Sequence, residues 1–335
     1  MPSPSPDPLA SLPYVDRDAI FHPRLMRIAC YLLDFGTVLS LVIAPALLFA
    51  IMTRTPRAMS GYRRLLVPYV VNCIILNIAL TLYKPYFLLP YTAIYPMGVL
   101  QDASHGISIN AVCVFVLTFF MDMDLLLAMV MQRYFTMTQH LVHRHKLAEK
   151  LCYGLLFGSN LALSLTQLYF YNKRMLVASE SETSRLLLTH VTHSRSIIRP
   201  SIVLFHSETM WYFYATQGYT AFHVSCRILA FIFFLNRNLN QLHWQKHVLS
   251  MNLRRQHAMV MRTIAAQLIG IFFMSFVPVS VALAAVLLRK AWAEIFLTLY
   301  CLGNLFNAYN LAITFVCIRP YRQMLTDKLS MTWMS

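Results

Sequence analysis

Five charged residues interrupt long apolar stretches of the sequence: Asp34, Lys84, Asp122, Asp124 and Arg227. An ion surrounded by hydrocarbon is costly unless it is paired or wetted, so such residues predict ion pairs or a path for a charged substrate. Asp34 and Lys84 fall at similar depths in neighbouring stretches, which favours a pair between them. The alternative is that Lys84 reaches the membrane surface while Asp34 faces a water-filled cavity.

Arg227 and two aspartates of the third stretch are predicted to lie at matching depths. At about 1.5 Å per helical residue, Arg227 lies about 15 Å from the cytoplasmic end of its stretch, and Asp124 and Asp122 lie about 14 and 16 Å from Arg133. The two aspartates differ by about 200° around a helix, so we expect only one of them to face Arg227. His223, one turn earlier than Arg227, faces the same side. The alternative is an Arg227 wetted by a cytoplasmic cavity.

Arg133 and Tyr134 end the third apolar stretch, and three asparagines, Asn304, Asn307 and Asn310, recur every three residues in the seventh. An arginine at this point can hold helices in an inactive packing, or it can simply meet lipid headgroups. The asparagine stripe must face other helices or ordered water. It suits either a rearranging interface or static contact between helices.

Motifs for catalysis and metal binding are missing from the sequence: there is no HExxH, GxSxG, Walker-type loop or Gly-rich dinucleotide turn. The 172–208 segment holds no cysteine, so it cannot form a disulfide to the third stretch. Histidines cluster in two basic loops that we interpret as solvated, at His140, His143, His145, His243, His247 and His257. We therefore expect no catalytic residue, no metal site and no cofactor, and no enzyme activity.

Seven apolar runs must position these residues, and each is long enough to cross a hydrocarbon core of about 30 Å as a helix. The sequence therefore predicts an all-α membrane protein, a bundle of seven transmembrane helices. The runs are 28–52, 65–90, 107–131, 151–171, 209–235, 263–288 and 291–318.

Basic residues set the orientation of this bundle. With the N-terminus outside, the inner segments hold 16 Lys and Arg and the outer segments hold 10, as the positive-inside rule requires. We expect three parts: a flexible external tail at 1–27, the helix bundle at 28–318 and a cytoplasmic tail at 319–335. Apolar residues are 58% of the chain, and the net charge of +15 is spread between the helices. This distribution indicates anionic lipid as a partner and excludes nucleic acid.

Four segments resemble one receptor family. Nematode serpentine chemoreceptors of class H (Srh) have similar sequences to TRTPRAMSGYRRLL with YKPYFLLPYTAIYPMG, to SMNLRRQHAMVMRTIAAQLIGIFFMSFVP and to the tail IRPYRQML. The related classes I, J and Str share parts of the pattern. The resemblance implies a GPCR-like fold and a chemosensory receptor in the plasma membrane, in the cilia of sensory neurons.

The resulting interpretation is a receptor that binds a small external molecule between its helices and signals to a heterotrimeric G protein. Homo- or hetero-oligomers remain open. The switch and coupling residues would be Arg133, Tyr134, Asn304, Asn307, Asn310, Pro320, Tyr321 and Arg322. The predicted ligand-binding residues are Asn110, Tyr212, Gln217, Ser280, Thr298 and Tyr300.

Three alternatives stand beside the receptor. A multi-pass transporter or ion channel would use the intramembrane charges as a transport path, although the helix pattern has no internal repeat. An intramembrane enzyme would need a nucleophile, a base or a metal motif. An insect-type odorant channel would have the opposite orientation.

Overall fold

Long apolar helices dominate the structure, a computed structural model. It describes residues 14, 16–56, 59–89, 91, 93–138, 145–172, 177–192, 197–205, 210–244, 251–271, 273–274, 277–288, 290, 292, 294–295 and 305–323. Five of the described helices are long and apolar enough to cross a membrane. The protein is an all-α membrane protein with a small external sheet.

The helices follow the predicted order along the chain. α1 is a single turn, α2 to α5 and α7 are the five long apolar helices, α6 lies between α5 and α7, and α8 and α9 share the sixth apolar run. Their bounds are α1 Arg17–Ile20, α2 Pro23–Arg54, α3 Ser60–Tyr83, α4 His105–Thr138, α5 His145–Asn172, α6 Glu180–His190, α7 Met210–Trp244, α8 Met251–Ile271, α9 Val277–Leu287 and α10 Phe306–Cys317.

α4 lies at the centre of the bundle and contacts α3, α5, α7 and α8. Most of its buried residues are apolar, such as Leu126 and Met129, and they form the main core with residues of the surrounding helices. The outward faces are also apolar: Phe222 and Leu229 of α7 are each 66% exposed. Because lipid is as apolar as these side chains, the inner contacts stabilise the bundle through close packing and polar bonds.

The second apolar run, predicted as one helix over 65–90, is helical only as far as Tyr83. Lys84 takes a left-handed conformation with φ 44° and closes α3 through its backbone N–H to the carbonyl of Leu80. A proline disfavours helical geometry in the residue before it, and Pro85 follows Lys84 directly. The helical prediction for 84–89 was therefore wrong, because strand β1, Pro85–Phe87, begins there.

A three-stranded antiparallel sheet lies on the side of the bundle that carries the N-terminal residues, called the outer side below. β1 pairs with β2, Ala93–Pro96, with Tyr86 opposite Tyr95. β2 pairs with β3, Val203–Leu204, with Ile94 opposite Val203. The sheet joins the connection after α3 to the segment before α7.

Residues 16–22, 85–89, 91, 93–102, 177–192 and 197–205 form one layer, which we name the outer cap. Its core includes Ile20, Tyr91 and Leu187. Tyr86 Oη donates to the carbonyl of Ile20 at 2.8 Å, and burial raises the pKa of Tyr86 to about 12, so it stays a donor at neutral pH. The cap includes residues 16–22 of the predicted tail 1–27 and parts of the predicted loop 172–208. Burial of apolar side chains holds these described parts against the sheet.

α6 starts with a complete capping box. Ser179 Oγ accepts from the backbone N–H of Glu182, and the Glu182 carboxylate accepts from the N–H of Ser179 at 2.7 Å. These bonds satisfy donors that the first helical turn leaves without partners. The cap therefore carries a defined helix beside the sheet.

The sixth apolar run contains a change of helix winding. Phe273 and Met274, which lie between α8 and α9, form part of a wider π-type turn. Pro278 has no N–H to donate to the carbonyl of Met274, four residues earlier. Such turns occur where the regular hydrogen-bond pattern of a helix cannot be completed.

Candidate functional site

Arg227 of α7 and Asp124 of α4 form an ion pair in the middle of the bundle. The Arg227 Nε lies 2.5 Å from Asp124 Oδ1, and Nη2 donates to Oδ2 at 3.1 Å. The side chains are 6% and 0% exposed. Two parallel bonds of this kind fix both position and orientation, so the pair locks α7 to α4.

The remaining nitrogen atoms of Arg227 extend the contact to a third helix. Nη1 donates to His223 Nε2 at 2.5 Å, and Nη2 also reaches Ser159 Oγ and the Leu156 carbonyl of α5, both at 3.4 Å. An arginine only donates, so His223 Nε2 accepts and its ring carries the hydrogen on Nδ1. Arg227 therefore ties α4, α5 and α7 together.

Asp122 points to the opposite neighbour. Its Oδ1 accepts from Asn72 Nδ2 of α3 at 2.6 Å, and Cys73 Sγ lies 3.8 Å from both carboxylate oxygens. Asn72 also donates to the carbonyl of Thr118 at 2.8 Å. Within the described residues, Asp122 has no ion-pair partner. The two aspartates of α4 thus bond different helices, one through a cation and one through an amide.

Lys84 and Asp34 meet at the outer edge of the bundle. Lys84 Nζ lies 2.7 Å from Asp34 Oδ1 and 2.8 Å from Oδ2. The sequence had placed Lys84 inside the second helix. Since α3 ends at Tyr83, Lys84 instead lies at the end of the helix. Its side chain is 13% exposed and that of Asp34 is 46% exposed, so water weakens the pair.

Amide side chains line the contact of α10 with α3 and α8. Asn307 Nδ2 donates to Asn77 Oδ1 at 3.3 Å, and Gln267 Nε2 donates to Thr314 Oγ1 at 2.9 Å. Asn310 is fully buried, and neither atom of its amide has a partner in the described part of the chain. Asn304 lies outside the described residues. Unsatisfied amides inside a bundle make this interface less stable than an apolar one.

Arg133 lies buried at the inner end of α4, in a group that we name the cytoplasmic cluster: Thr55, Tyr62, Arg133 and Tyr321. The Arg133 guanidinium carbon lies 5.0 Å from the ring centroid of Tyr62. The side chain is 3% exposed, and its Nε and Nη2 have no hydrogen-bond partner among the described residues. Thr55 Oγ1 and Tyr321 Oη are 2.9 Å apart. The cluster joins the inner ends of α2, α3, α4 and α10.

His257 of α8 is buried and close enough to Arg133 for their charges to interact. Burial, and then the charge of Arg133, lower the pKa of His257 to about 4. The imidazole is therefore neutral at pH 7 and adds no second positive charge beside Arg133.

The other predicted coupling residues surround this cluster. The ring of Tyr134 packs against Phe234 of α7 at 5.5 Å. Pro320 is half-buried and Arg322 is exposed. Tyr321 is fully buried, so the first residues of the predicted cytoplasmic tail 319–335 pack against the bundle.

The predicted ligand-binding residues are not brought together by the described structure. Asn110 on α4 and Ser280 on α9 are exposed. Tyr212 and Gln217 belong to α7, but their side chains lie outside the described part, and Thr298 and Tyr300 lie outside the described residues altogether. Within the residues described, no group of three or more His, Cys, Asp and Glu could hold a metal ion.

Several partners in these contacts were not singled out in the sequence. Asn72 and Asn77 were the clearest signal available, because two amides lie five residues apart in an apolar run. Tyr62 and Thr55 gave no signal, since an aromatic ring and a hydroxyl are common near the membrane surface. Their importance depends on Arg133, which lies far away in sequence.

The comparison with known families covers nearly the whole chain. Residues 26–331 match the family described as serpentine type 7TM GPCR chemoreceptor Srh. No curated protein matches the chain. The family match includes every helix from α3 to α10 and all the intramembrane charges described above. The chain therefore belongs to the Srh family of serpentine seven-transmembrane chemoreceptors.

Proposed function

We propose that this chemoreceptor binds a small external molecule within its helix bundle and signals to a heterotrimeric G protein at its inner face. Its place of action would be the plasma membrane of sensory cilia. The observation that carries the proposal is the cytoplasmic cluster. A buried arginine that has no acidic partner among the described residues closes the inner ends of four helices, where a G protein would have to dock.

The cost of burying Arg133 makes the closed cluster less stable relative to an open one. Burial removes water from the guanidinium, and a cation without a buried anion recovers only part of that cost. The face of the Tyr62 ring offsets some of it, by about 0.5–2 kcal/mol. Separation of the inner helix ends would expose Arg133 to water or to acceptor groups of a partner. Opening therefore recovers part of the free energy that burial of Arg133 costs in the closed packing.

Ligand binding would act on this balance through the helices. Arg227 holds α4, α5 and α7 as one unit, whereas the sixth apolar run carries a π-type turn at Phe273 and Met274. A bound molecule can shift the equilibrium only by binding one arrangement better than the other. We infer that the favoured ligand binds better when α8 has moved relative to α4.

The transporter and channel alternatives lose their main support. They depended on five intramembrane charges forming a path, but four of those charges are bonded to each other in two separate pairs. The fifth, Asp122, is held by Asn72 and Cys73. Charges engaged in this way act as structural contacts between helices.

Replacement of Arg133 tests the proposal. In cells that express a promiscuous G protein, we expect Arg133→Ala to lower basal and compound-evoked calcium signals by about tenfold, because loss of about 1.4 kcal/mol favouring the open state gives that factor. Surface expression should stay near normal. The matched control is Arg262→Ala, which removes an exposed arginine of α8 and should leave signalling unchanged.

The same cells separate receptor from channel. Responses should survive replacement of external ions and disappear when the G protein is omitted. Unchanged signalling in a well-expressed Arg133→Ala variant would show that Arg133 serves packing alone and has no part in the switch. Currents that persist without a G protein would contradict the proposed function.

A further inference from the structure

Two sulfur atoms meet where α2 contacts the outer cap, and a third lies one helical turn away. Cys30 Sγ of α2 lies 4.0 Å from Sδ of Met97, the residue after strand β2. Met26 precedes Cys30 by one turn on the same face of α2, and it packs on the same apolar core as Met97. We propose that Cys30, Met97 and Met26 form a binding site for a soft monovalent metal ion, Cu(I) or Ag(I).

The spacing of the two sulfur atoms fits such an ion. A metal–sulfur bond measures about 2.3 Å, so sulfur ligands 4.0 Å apart enclose an angle of about 120° at the ion. This is the angle between neighbouring ligands of a three-coordinate ion, and it leaves the third corner for Met26. Thiolate and thioether ligands select Cu(I), whereas hard cations take oxygen ligands.

The surrounding bonds hold both elements in place. Asp34, one turn after Cys30 on α2, forms the ion pair with Lys84. The backbone N–H of Met97 donates to the Lys84 carbonyl at 3.0 Å. Lys84 therefore joins α2 to the backbone of Met97 beside the two sulfur atoms. Ligands that are fixed before the ion arrives need little rearrangement when it binds.

The charge balance favours a monovalent ion. Binding breaks the S–H bond of Cys30: the sulfur keeps the electron pair and bonds the metal with it, and the proton passes to water. One thiolate and one monovalent cation give a neutral centre, and the Asp34–Lys84 pair beside it is also neutral. A divalent ion would leave an uncompensated positive charge in a half-buried place. Structural zinc also takes four ligands as a rule.

No sequence motif marks this group, because Cys30 and Met97 lie 67 positions apart. It contains one Cys and two Met, so it differs from the clusters of His, Cys, Asp and Glu that are absent from the described residues. All three side chains are half-buried on the outer side, so an external ion reaches them without crossing the bundle. A bound ion would join α2 to the outer cap, independently of any G protein.

Competition for copper tests the site in the purified receptor in detergent. Cu(I) is supplied without oxygen as its coloured bicinchoninate complex, and the loss of colour measures the copper that the receptor captures. Met97→Leu keeps the size of the side chain and should lower the affinity at least tenfold, since even a lost outer partner of a metal ligand costs about 10–100-fold. The control Met52→Leu makes the same change at a side chain that is 62% exposed on α2, and it should keep the affinity.

Replacement of the thiol gives a second comparison. Cys30→Ser should abolish capture, whereas Cys226→Ser, at an exposed cysteine of α7, should keep it. X-ray absorption of wild type loaded with one equivalent of Cu(I) covers the case in which Cys30→Ser fails to fold. It should show three sulfur neighbours of copper at about 2.3 Å. Full affinity in Met97→Leu, displacement of Cu(I) by an equal amount of Zn(II), or fewer than three sulfur neighbours would overturn the site.

Discussion

The members of the Arg227–Asp124 pair depend on each other because neither has access to water. Removal of one partner from a buried pair costs about 3–5 kcal/mol, since the other charge stays behind without compensation. Arg227 also holds Ser159 and the Leu156 carbonyl. A change at this residue should therefore disturb three helices at once.

A charge-swap series tests this dependence. Arg227→Asp places two acids together and should reduce surface expression to a small fraction of wild type. Addition of Asp124→Arg should recover part of it, because the swapped pair again joins α4 and α7. Surface expression is measured by cell-surface labelling, and the stability of each variant is measured by the thermal midpoint of the purified protein.

The second aspartate of α4 supplies the control for this series. Asp122 faces Asn72 on α3, so Asp122→Arg combined with Arg227→Asp should recover nothing. Recovery by Asp122→Arg, or failure of both swaps, would contradict the pairing. Signalling in the rescued double variant should rise together with its surface expression.

The depth of these residues could be predicted from the sequence, but their partners could not. A rise of about 1.5 Å per residue placed Arg227 level with both aspartates, and the structure brings it to Asp124. The choice between the two acids depends on how α4 is rotated. That rotation is set by contacts such as Asn72–Asp122, which lie 50 positions apart, and no local pattern reports it.

At the scale of elements, the close approach of the chain after β2 to the end of α3 depends on Gly98. A Cβ at this position would lie 2.3 Å from the carbonyl oxygen of Leu82. The Gly98 N–H also donates to the carbonyl of Tyr83 at 3.2 Å. The obstacle is backbone at the end of α3, which cannot move aside as a flexible side chain does.

Gly98→Ala should therefore separate the outer cap from α3. We expect a lower thermal midpoint, by about 2–4 °C for each kcal/mol lost, and faster proteolysis of the cap. Gly106→Ala is the matched control, because a Cβ there meets nothing within 4 Å. Equal midpoints for the two variants would show that Gly98 is not constrained.

Long helices were easier to predict than the short elements of the cap. Runs of about 20 apolar residues mark helices by length alone, and α2, α4 and α5 each contain a predicted run. The end of α3 had a local signal in Lys84–Pro85, and α6 had one in Ser179 and Glu182. The strands are too short for a periodic pattern. Their pairing over about a hundred residues is visible only after folding.

At the scale of the whole molecule, the basic residues predict the orientation. The difference of 16 to 10 places the N-terminus outside and the cytoplasmic cluster inside. An epitope at residue 2 should bind antibody on intact cells. An epitope after Ser335 should bind only after permeabilisation. The reverse labelling would place the cytoplasmic cluster outside the cell and remove the basis of the receptor function.

The ligand-binding residues could not be predicted from the arrangement of the helices along the chain. The outer halves of the helices were identified by depth, but depth does not show which side chains face inward. Asn110 and Ser280 are exposed, so α4 and α9 turn these two side chains away from the buried face of the bundle.

The outer cap has a consequence for how the receptor is produced. None of its residues is a cysteine, and the six cysteines in the described structure are free thiols. The cap is held together by reversible contacts, such as the bond from Thr192 to Asp16 at 2.6 Å, and it meets α9 through the packing of Leu89 against Ala285. The cap can therefore assemble in a reducing compartment, without an oxidase or an isomerase. Hydrogen exchange of the cap's backbone amides should become faster as the temperature rises. Its rate should stay the same when a reductant is added.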